Sequence, residues 1–222
     1  MRILAVGDVV DPLLYADSAQ PPWQPTGISA VLSCGDLPPD YLAFLADRLK
    51  APLFYVLGNH DGGYRYDPPA GCMSIDGRFV RWQGMRLLGL GGAPLHNGGS
   101  EQYSERAMAF RLFRHRLAIW RLGAPDIVIS HAPPRLSPTH GDRHGPAANR
   151  GGVSNRLTEQ PSFDWPDPGH RGYYVFGNLI RHVQPRVWLH GHTHLAYGTA
   201  GRESRLGATR VINVYGHCVI DL

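Results

Sequence analysis

Five short apolar runs, each closing on a residue able to bind a metal, constrain this chain more than any other feature of its sequence. RILAV (2–6) leads into Gly7-Asp8, AVLSC (30–34) into Gly35-Asp36, and PLFYVL (52–57) into Gly58-Asn59-His60-Asp61. DIVIS (126–130) precedes His131, and RVWL (186–189) precedes His190-Gly191-His192-Thr193-His194. Continuous runs rich in Val, Ile, Leu and aromatics suit strands covered on both faces, where no polar residue needs to alternate. In open α/β sheets, ligands gather at the carboxyl ends of such strands. A glycine or serine stands just before each candidate ligand or ligand cluster, which lets the backbone turn and aim the side chain outward.

Helical patterns lie between the runs. Pro38-Pro39 leads into DYLAFLADRLK, with Pro39 suited to a first turn and Leu42, Leu45 and Leu49 spaced for one face. The segment 103–121 places Phe110, Phe113, Leu117 and Trp120 at helical spacing, a stripe that predicts a core face. Residues 72–92 read as short strands with turns between them, predicting antiparallel hairpins, and RLGATRVINVYGHCVIDL (205–222) has the same character. The stretch 135–169 is rich in Pro, Gly, His and Asn and lacks apolar periodicity. So long a loop inside a compact domain is expected to serve a function or to be mobile. The pattern as a whole predicts one α/β layered domain over 1–222, with some antiparallel strands and no internal repeat.

With 222 residues the chain can bury a sizeable core. No apolar run approaches the ~18 residues of a membrane span. The run that opens MRILAVGDVV is too short for a secretory signal, so the reading is a first strand of a cytoplasmic protein with no membrane partner. Cys34, Cys72 and Cys218 are odd in number and widely separated, which argues against a disulfide framework or a zinc knuckle. The net charge is only +4, carried by scattered arginines with Lys50 the lone lysine, and this argues against a nucleic-acid partner.

The donor set combines hard oxygens and imidazoles without thiolate, a mix suited to Mn²⁺, Fe or Zn²⁺ rather than Cu(I) or an iron–sulfur cluster. His192 and His194, two apart in an extended segment, point the same way. They could serve one metal or two that are ~3.5–4 Å apart.

In this order, Asp8, Gly35-Asp36, Gly58-Asn59-His60-Asp61, His131 and Gly191-His192-x-His194 resemble the signature of calcineurin-like metallophosphoesterases. The resemblance implies a four-layer αββα sandwich with mixed sheets, and two divalent metal ions, Mn²⁺ foremost with Fe or Zn²⁺ as alternatives, at the loop end of the sheets. It implies that Asp36 bridges the metals, that Asn59, His131 and His192 complete one site, and that Asp8 and His194 belong to the other. His60 would face the substrate phosphate, and Asp61 would brace the loop or orient His60. The implied reaction is hydrolysis of a phosphomonoester or phosphodiester, a small-molecule phosphate ester, by attack of a metal-bridging hydroxide. The HxHxDH pattern of metallo-β-lactamase-type hydrolases is absent, since HGHTH is followed by Leu195.

One position departs from the family. Its first strand usually ends Asp-x-His, with the His a metal ligand, and here Val10 stands in that place. Three readings stay open. Asp11 turns in and replaces the imidazole, water or substrate fills the position, or catalysis is weakened and the fold serves as a phosphate- or nucleotide-binding protein. The intact GNHD and GHTH motifs favour the first two. His190 reads as a core or supporting residue and His96 as a loop histidine. On the substrate side, the loop 135–169 offers His140, Asp142, Arg143, His144, Arg150 and Trp165, and His170 with Arg171 opens a helix whose N-terminus suits an anion.

Overall fold

All five apolar runs become strands. The computed structural model describes residues 1–15, 26–136, 168–195 and 201–222; the loop candidates His140, Asp142, Arg143, His144, Arg150 and Trp165 lie outside them. Along the first half run β1 (Arg2–Gly7), β2 (Ile28–Ser33), β3 (Leu53–Tyr55), β4 (Met73–Ser74), β5 (Phe79–Trp82) and β6 (Met85–Leu90). Then come β7 (Ala93–Pro94), β8 (Gln102–Tyr103), β9 (Ile127–Ser130), β10 (Val187–His190), β11 (Glu203–Leu206), β12 (Thr209–Asn213) and β13 (Gly216–Asp221). The helices are α1 (Pro12–Tyr15), α2 (Pro39–Leu49), α3 (Glu105–Phe113), α4 (Arg116–Leu122) and α5 (Tyr174–Val183).

One sheet has the order β13-β1-β2-β3-β4, parallel except for β13 at its edge. The other has the order β11-β12-β10-β9-β6-β5, with four parallel strands between antiparallel edges. Their inner faces meet through Ile3, Ala5, Leu32 and Phe54 on one side and Leu87, Ile129, Leu189 and Ile212 on the other. Alternate residues face outward: Leu4, Val6 and Val31 pack on Tyr41, Leu42 and Leu45 of α2. Val128 and Trp188 pack on Met108 and Leu112 of α3 and on Phe176 and Ile180 of α5. The layers are therefore helix, sheet, sheet, helix. This explains why the strand sequences show no polar alternation, because both faces of each central strand are covered.

The registers bring the strand ends level. Val6 pairs with Ser33, Ser33 with Tyr55, and His190 with Ser130. The loops that leave these strands therefore emerge along one shared edge of the sandwich.

Three expectations need correction. The segment 103–121 is two helices broken at Arg114–His115, and its aromatic stripe is not a core face. Phe110 is 66% exposed and Trp120 80%, with Phe113 and Leu117 also exposed. The sheet instead receives Met108 and Leu112, four apart, which fixes the rotation of α3 and turns Phe110 away. The hairpin reading of 72–92 holds for β5 and β6, but β4 joins the other sheet, parallel to β3. At the C-terminus β11 and β12 form a hairpin, while β13 crosses over to pair antiparallel with β1. Among the described residues no helix is long and apolar enough to cross a membrane.

Two tryptophans test this arrangement. Trp188 is fully buried and its indole N–H donates to Ser130 Oγ at 2.8 Å. Trp188→Ala is expected to lower the unfolding free energy by ~3–5 kcal/mol, and Trp120→Ala to leave it within ~0.5 kcal/mol, as read from urea denaturation.

Candidate metal centre

Three candidate ligands sit in a backbone conformation that side-chain-bearing residues rarely adopt: Asp8 at φ 66°, Asp36 at φ 57° and His192 at φ 66°. Such left-handed residues persist only where the surroundings hold them. Here the turn directs each side chain back over the strand ends. Glycines make the space for it. A Cβ at Gly58 would overlap the Asp36 carboxylate, and one at Gly191 would overlap the Asp8 carboxylate. Each carboxylate lies against bare backbone, so the glycines of GNHD and GHTH make room for candidate ligands that follow other strands.

Ligand atoms of Asp8, Asp36 and His131 all lie within 4.8 Å of one another. His131 Nε2 is 3.0 Å from Asn59 Oδ1 and 3.3 Å from Asp36 Oδ2. On its other side Nδ1 is 2.9 Å from the Cys34 carbonyl, an acceptor only. The proton therefore belongs on Nδ1, and Nε2 is presented to the site. The rings of His131 and His192 are 4.8 Å apart. His194 stands 5.0 Å from the Tyr215 ring and 5.2 Å from that of His170, which is itself 5.4 Å from His192.

Backbone donors hold the carboxylates. The His192 N–H donates to Asp8 Oδ1 at 2.7 Å, and the His60 N–H to Asp36 Oδ1 at 2.8 Å. Asp61 Oδ2 accepts from the N–H of Asp36 at 2.8 Å and of Gly58 at 2.7 Å, tying the β2 and β3 loops together. The His60 side chain is 80% exposed, with Nε2 4.0 Å from Asp36 Oδ2. Two buried atoms here, Asp8 Oδ2 and His192 Nε2, have no hydrogen-bond partner among the described residues. A buried polar atom left so costs about 1–3 kcal/mol, and a carboxylate oxygen and an imidazole nitrogen are both donor types suited to a cation. The donor set fits divalent metal.

The electrostatics agree. Burial pushes the Asp8 and Asp61 carboxyls up to about 6. Burial also opposes ionisation of Asp36, but the His131 ring beside it and the His60 N–H hold it down at about 2. His131 is driven down by burial and more strongly up by Asp36, to about 9. Without a cation, the positive charge between these groups is thus a proton, which a bound metal would displace. Burial keeps His192 well below the ordinary histidine range and also lowers His194, with His170 adding to both shifts. Neutral imidazoles are the form that ligates.

Other residues fall elsewhere. Val10 packs into the apolar layer between the first sheet and its helices. Asp11 has both carboxylate oxygens engaged: Oδ1 accepts from the Leu13 N–H at 2.9 Å, and Oδ2 is 2.5 Å from His217 Nδ1. This counts against Asp11 as the replacement ligand. His190 is buried, with Nδ1 2.9 Å from the Gly191 carbonyl, and His96 is exposed. The N-terminus of α5 is not open to an anion, because Glu105 already accepts from the N–H groups of Tyr174 and Val175. His170 and Arg171 lie ahead of that helix, His170 in a 3₁₀ turn (Pro168–His170) and Arg171 exposed beyond it. Sequence reasoning missed Asn213 and Tyr215. Asn213 Nδ2 donates to the Thr193 carbonyl at 2.7 Å and so supports the GHTH loop. The signal was present, since the apolar β12 run also ends at this edge, Asn213 pairing with His190.

If the glycines serve the carboxylates, small additions there are damaging. Gly58→Ala and Gly191→Ala are each expected to weaken Mn²⁺ binding about tenfold or more in calorimetric titration. Gly63→Ala, whose added methyl meets nothing within 4 Å, is expected to leave it unchanged.

A family model described as calcineurin-like phosphoesterase matches residues 1–196. Among solved structures, the crystal structure of TT1561 of Thermus thermophilus is similar with a TM-score of 0.54 and 17% identity, covering 97% of this chain and 89% of that one. A second crystal structure is similar with a TM-score of 0.57 and 16% identity, covering 99% of this chain and 94% of the other. At such identities the likeness is one of fold alone. No curated protein matches the sequence. The matched span takes in every strand end from Asp8 to His194, and the chain belongs to the calcineurin-like phosphoesterase family.

Proposed function

We propose that this metal-dependent phosphoesterase hydrolyses small-molecule phosphate esters at a pair of divalent cations, with Asp36 as their common ligand. One observation carries the reading: the ligand atoms of Asp8, Asp36 and His131 converge within 4.8 Å, and Asp8 Oδ2 and His192 Nε2 are buried without a hydrogen-bond partner among the described residues. Asn59, His131 and His192 would hold one cation with Asp36, and Asp8 and His194 the other. Mn²⁺ suits these donors best, with Fe and Zn²⁺ as alternatives. When bound, such a pair acidifies coordinated water and neutralises phosphoryl oxygens.

The chain's own groups supply the rest. His60 is anchored to Asp36 through its backbone and leaves its ring exposed at the rim, suited to protonating a leaving oxygen or stabilising charge on the phosphoryl group. Beside it, Asp36, Leu37, His60 and Tyr64 line an open hollow of about 360 Å³, in the range of small-molecule sites. Asp61 is a positioning residue that fixes the loops carrying Asp36 and Asn59. Arg171, exposed, is the candidate for a phosphate contact, whereas His170 stands among the ligand histidines. The free cysteines support a cytoplasmic setting.

The second reading, a phosphate- or nucleotide-binding protein with weakened catalysis, rests on Val10. Turnover of p-nitrophenyl phosphate and bis-p-nitrophenyl phosphate separates the two readings, and the ratio of the two rates reports monoesterase against diesterase character. The Mn²⁺-loaded protein is expected to turn over at least one of them, EDTA and Asp36→Asn to abolish turnover, and His60→Ala to lower kcat by about 10²–10⁴ with a smaller change in KM. Phosphate binding without turnover by the loaded protein would select the second reading.

A further inference from the structure

Val10 leaves the first strand one imidazole short, and the structure offers one from elsewhere in the chain. We propose that His170 takes the place of the missing ligand and joins His194 in holding the cation on the Asp8 side; this rests on the metal reading above. Asp11 is poorly placed for that role, having one carboxylate oxygen on the Leu13 N–H and the other on His217. Val10 itself is packed among apolar side chains.

The ring distances point to His170. A metal–nitrogen bond is about 2.0–2.1 Å, and the imidazole centre lies roughly 1 Å beyond the nitrogen, so rings sharing one ion have centres about 5 Å apart. His131 and His192, which the family pattern assigns to one cation, are 4.8 Å apart. His170 is 5.2 Å from His194 and 5.4 Å from His192, at co-ligand distance from both.

Its position is built into the fold. Three residues after His170, the Tyr173 N–H donates to the Pro133 carbonyl at 3.1 Å, and the Tyr173 carbonyl accepts from Arg135 at 2.9 Å. The Tyr173 hydroxyl donates to the Tyr103 carbonyl at 3.0 Å. A Cβ at Gly172 would overlap the Pro133 carbonyl, so this close approach needs the glycine. The backbone of Gly169 is also hydrogen-bonded to His192. The turn that carries His170 is thus fastened to the loop that leaves His131. An anion-binding role for His170 lacks the helix terminus that would have supported it, because Glu105 occupies the first N–H groups of α5.

The test is metal loading rather than turnover. Wild type, His170→Ala and His170→Gln are equilibrated with Mn²⁺, the bound equivalents are counted by elemental analysis, and thermal melts of the metal-free proteins verify folding. Wild type is expected to bind two equivalents. Both variants are expected to keep one and to bind the second at least about tenfold more weakly. The visible bands of the Co²⁺-loaded protein, which report the donor set, are expected to change in both variants. Two tightly held equivalents with unchanged Co²⁺ bands in either folded variant overturn the proposal and leave the metal reading standing. An increase in KM with both cations retained would place His170 on the substrate and also overturn it. No bound Mn²⁺ in wild type would remove the metal reading itself.

Discussion

The contact on which the site depends is the one between Asp36 and His131. Asp36 follows a strand of one sheet and His131 a strand of the other, so their 3.3 Å approach joins the two halves of the sandwich at its ligand edge. Three more contacts cross the same seam, His131 Nδ1 to the Cys34 carbonyl, His131 Nε2 to Asn59 Oδ1 and the His192 N–H to Asp8. The apolar layer between the sheets ends here, and polar pairing takes over. Removing one member of such a buried pair strands the other charge and typically costs about 3–5 kcal/mol. The edge is therefore under two demands, holding the sheets in register and holding a cluster of like-charged carboxylates together.

That double demand explains the local irregularities. Left-handed aspartates, a left-handed histidine and glycines without room for a methyl group are all unfavourable or restrictive on their own. They occur together where three chain reversals aim side chains at one point. Asp61 relieves part of the difficulty by accepting the backbone N–H groups of Asp36 and Gly58, so that the two loops are cross-linked through one side chain.

Much of this was legible in the sequence because it is local. Each apolar run with its terminal Asp, Asn or His is a statement about one strand and its end, and level registers did the rest. What escaped was decided at long range. Periodicity revealed an amphipathic stripe through Phe110 and Trp120, but not that Met108 and Leu112 had the stronger claim on the sheet. Hairpin patterns gave β5–β6 and β11–β12, but not the crossing of β4 and β13 to the opposite sheet. The engagement of Asp11 by His217, 206 residues away, could not be read from GDVVD. Nor could the approach of His170 to His194, since no strand and no α-helix carries either residue.

The rung formed by Arg135 and Tyr173 has a further meaning for how such a chain can vary. The backbone departs after Arg135 and is rejoined at Tyr173 by hydrogen bonds with Pro133 and Arg135, so the excursion between them begins and ends at one place beside the histidines. Loop-closure entropy grows slowly with length, by about 0.6 kcal/mol for each doubling. Lengthening or shortening the connection between 136 and 168 therefore changes the cost of closing that rung only slightly. The frame that presents the histidines is thus, in effect, closed by its own two ends.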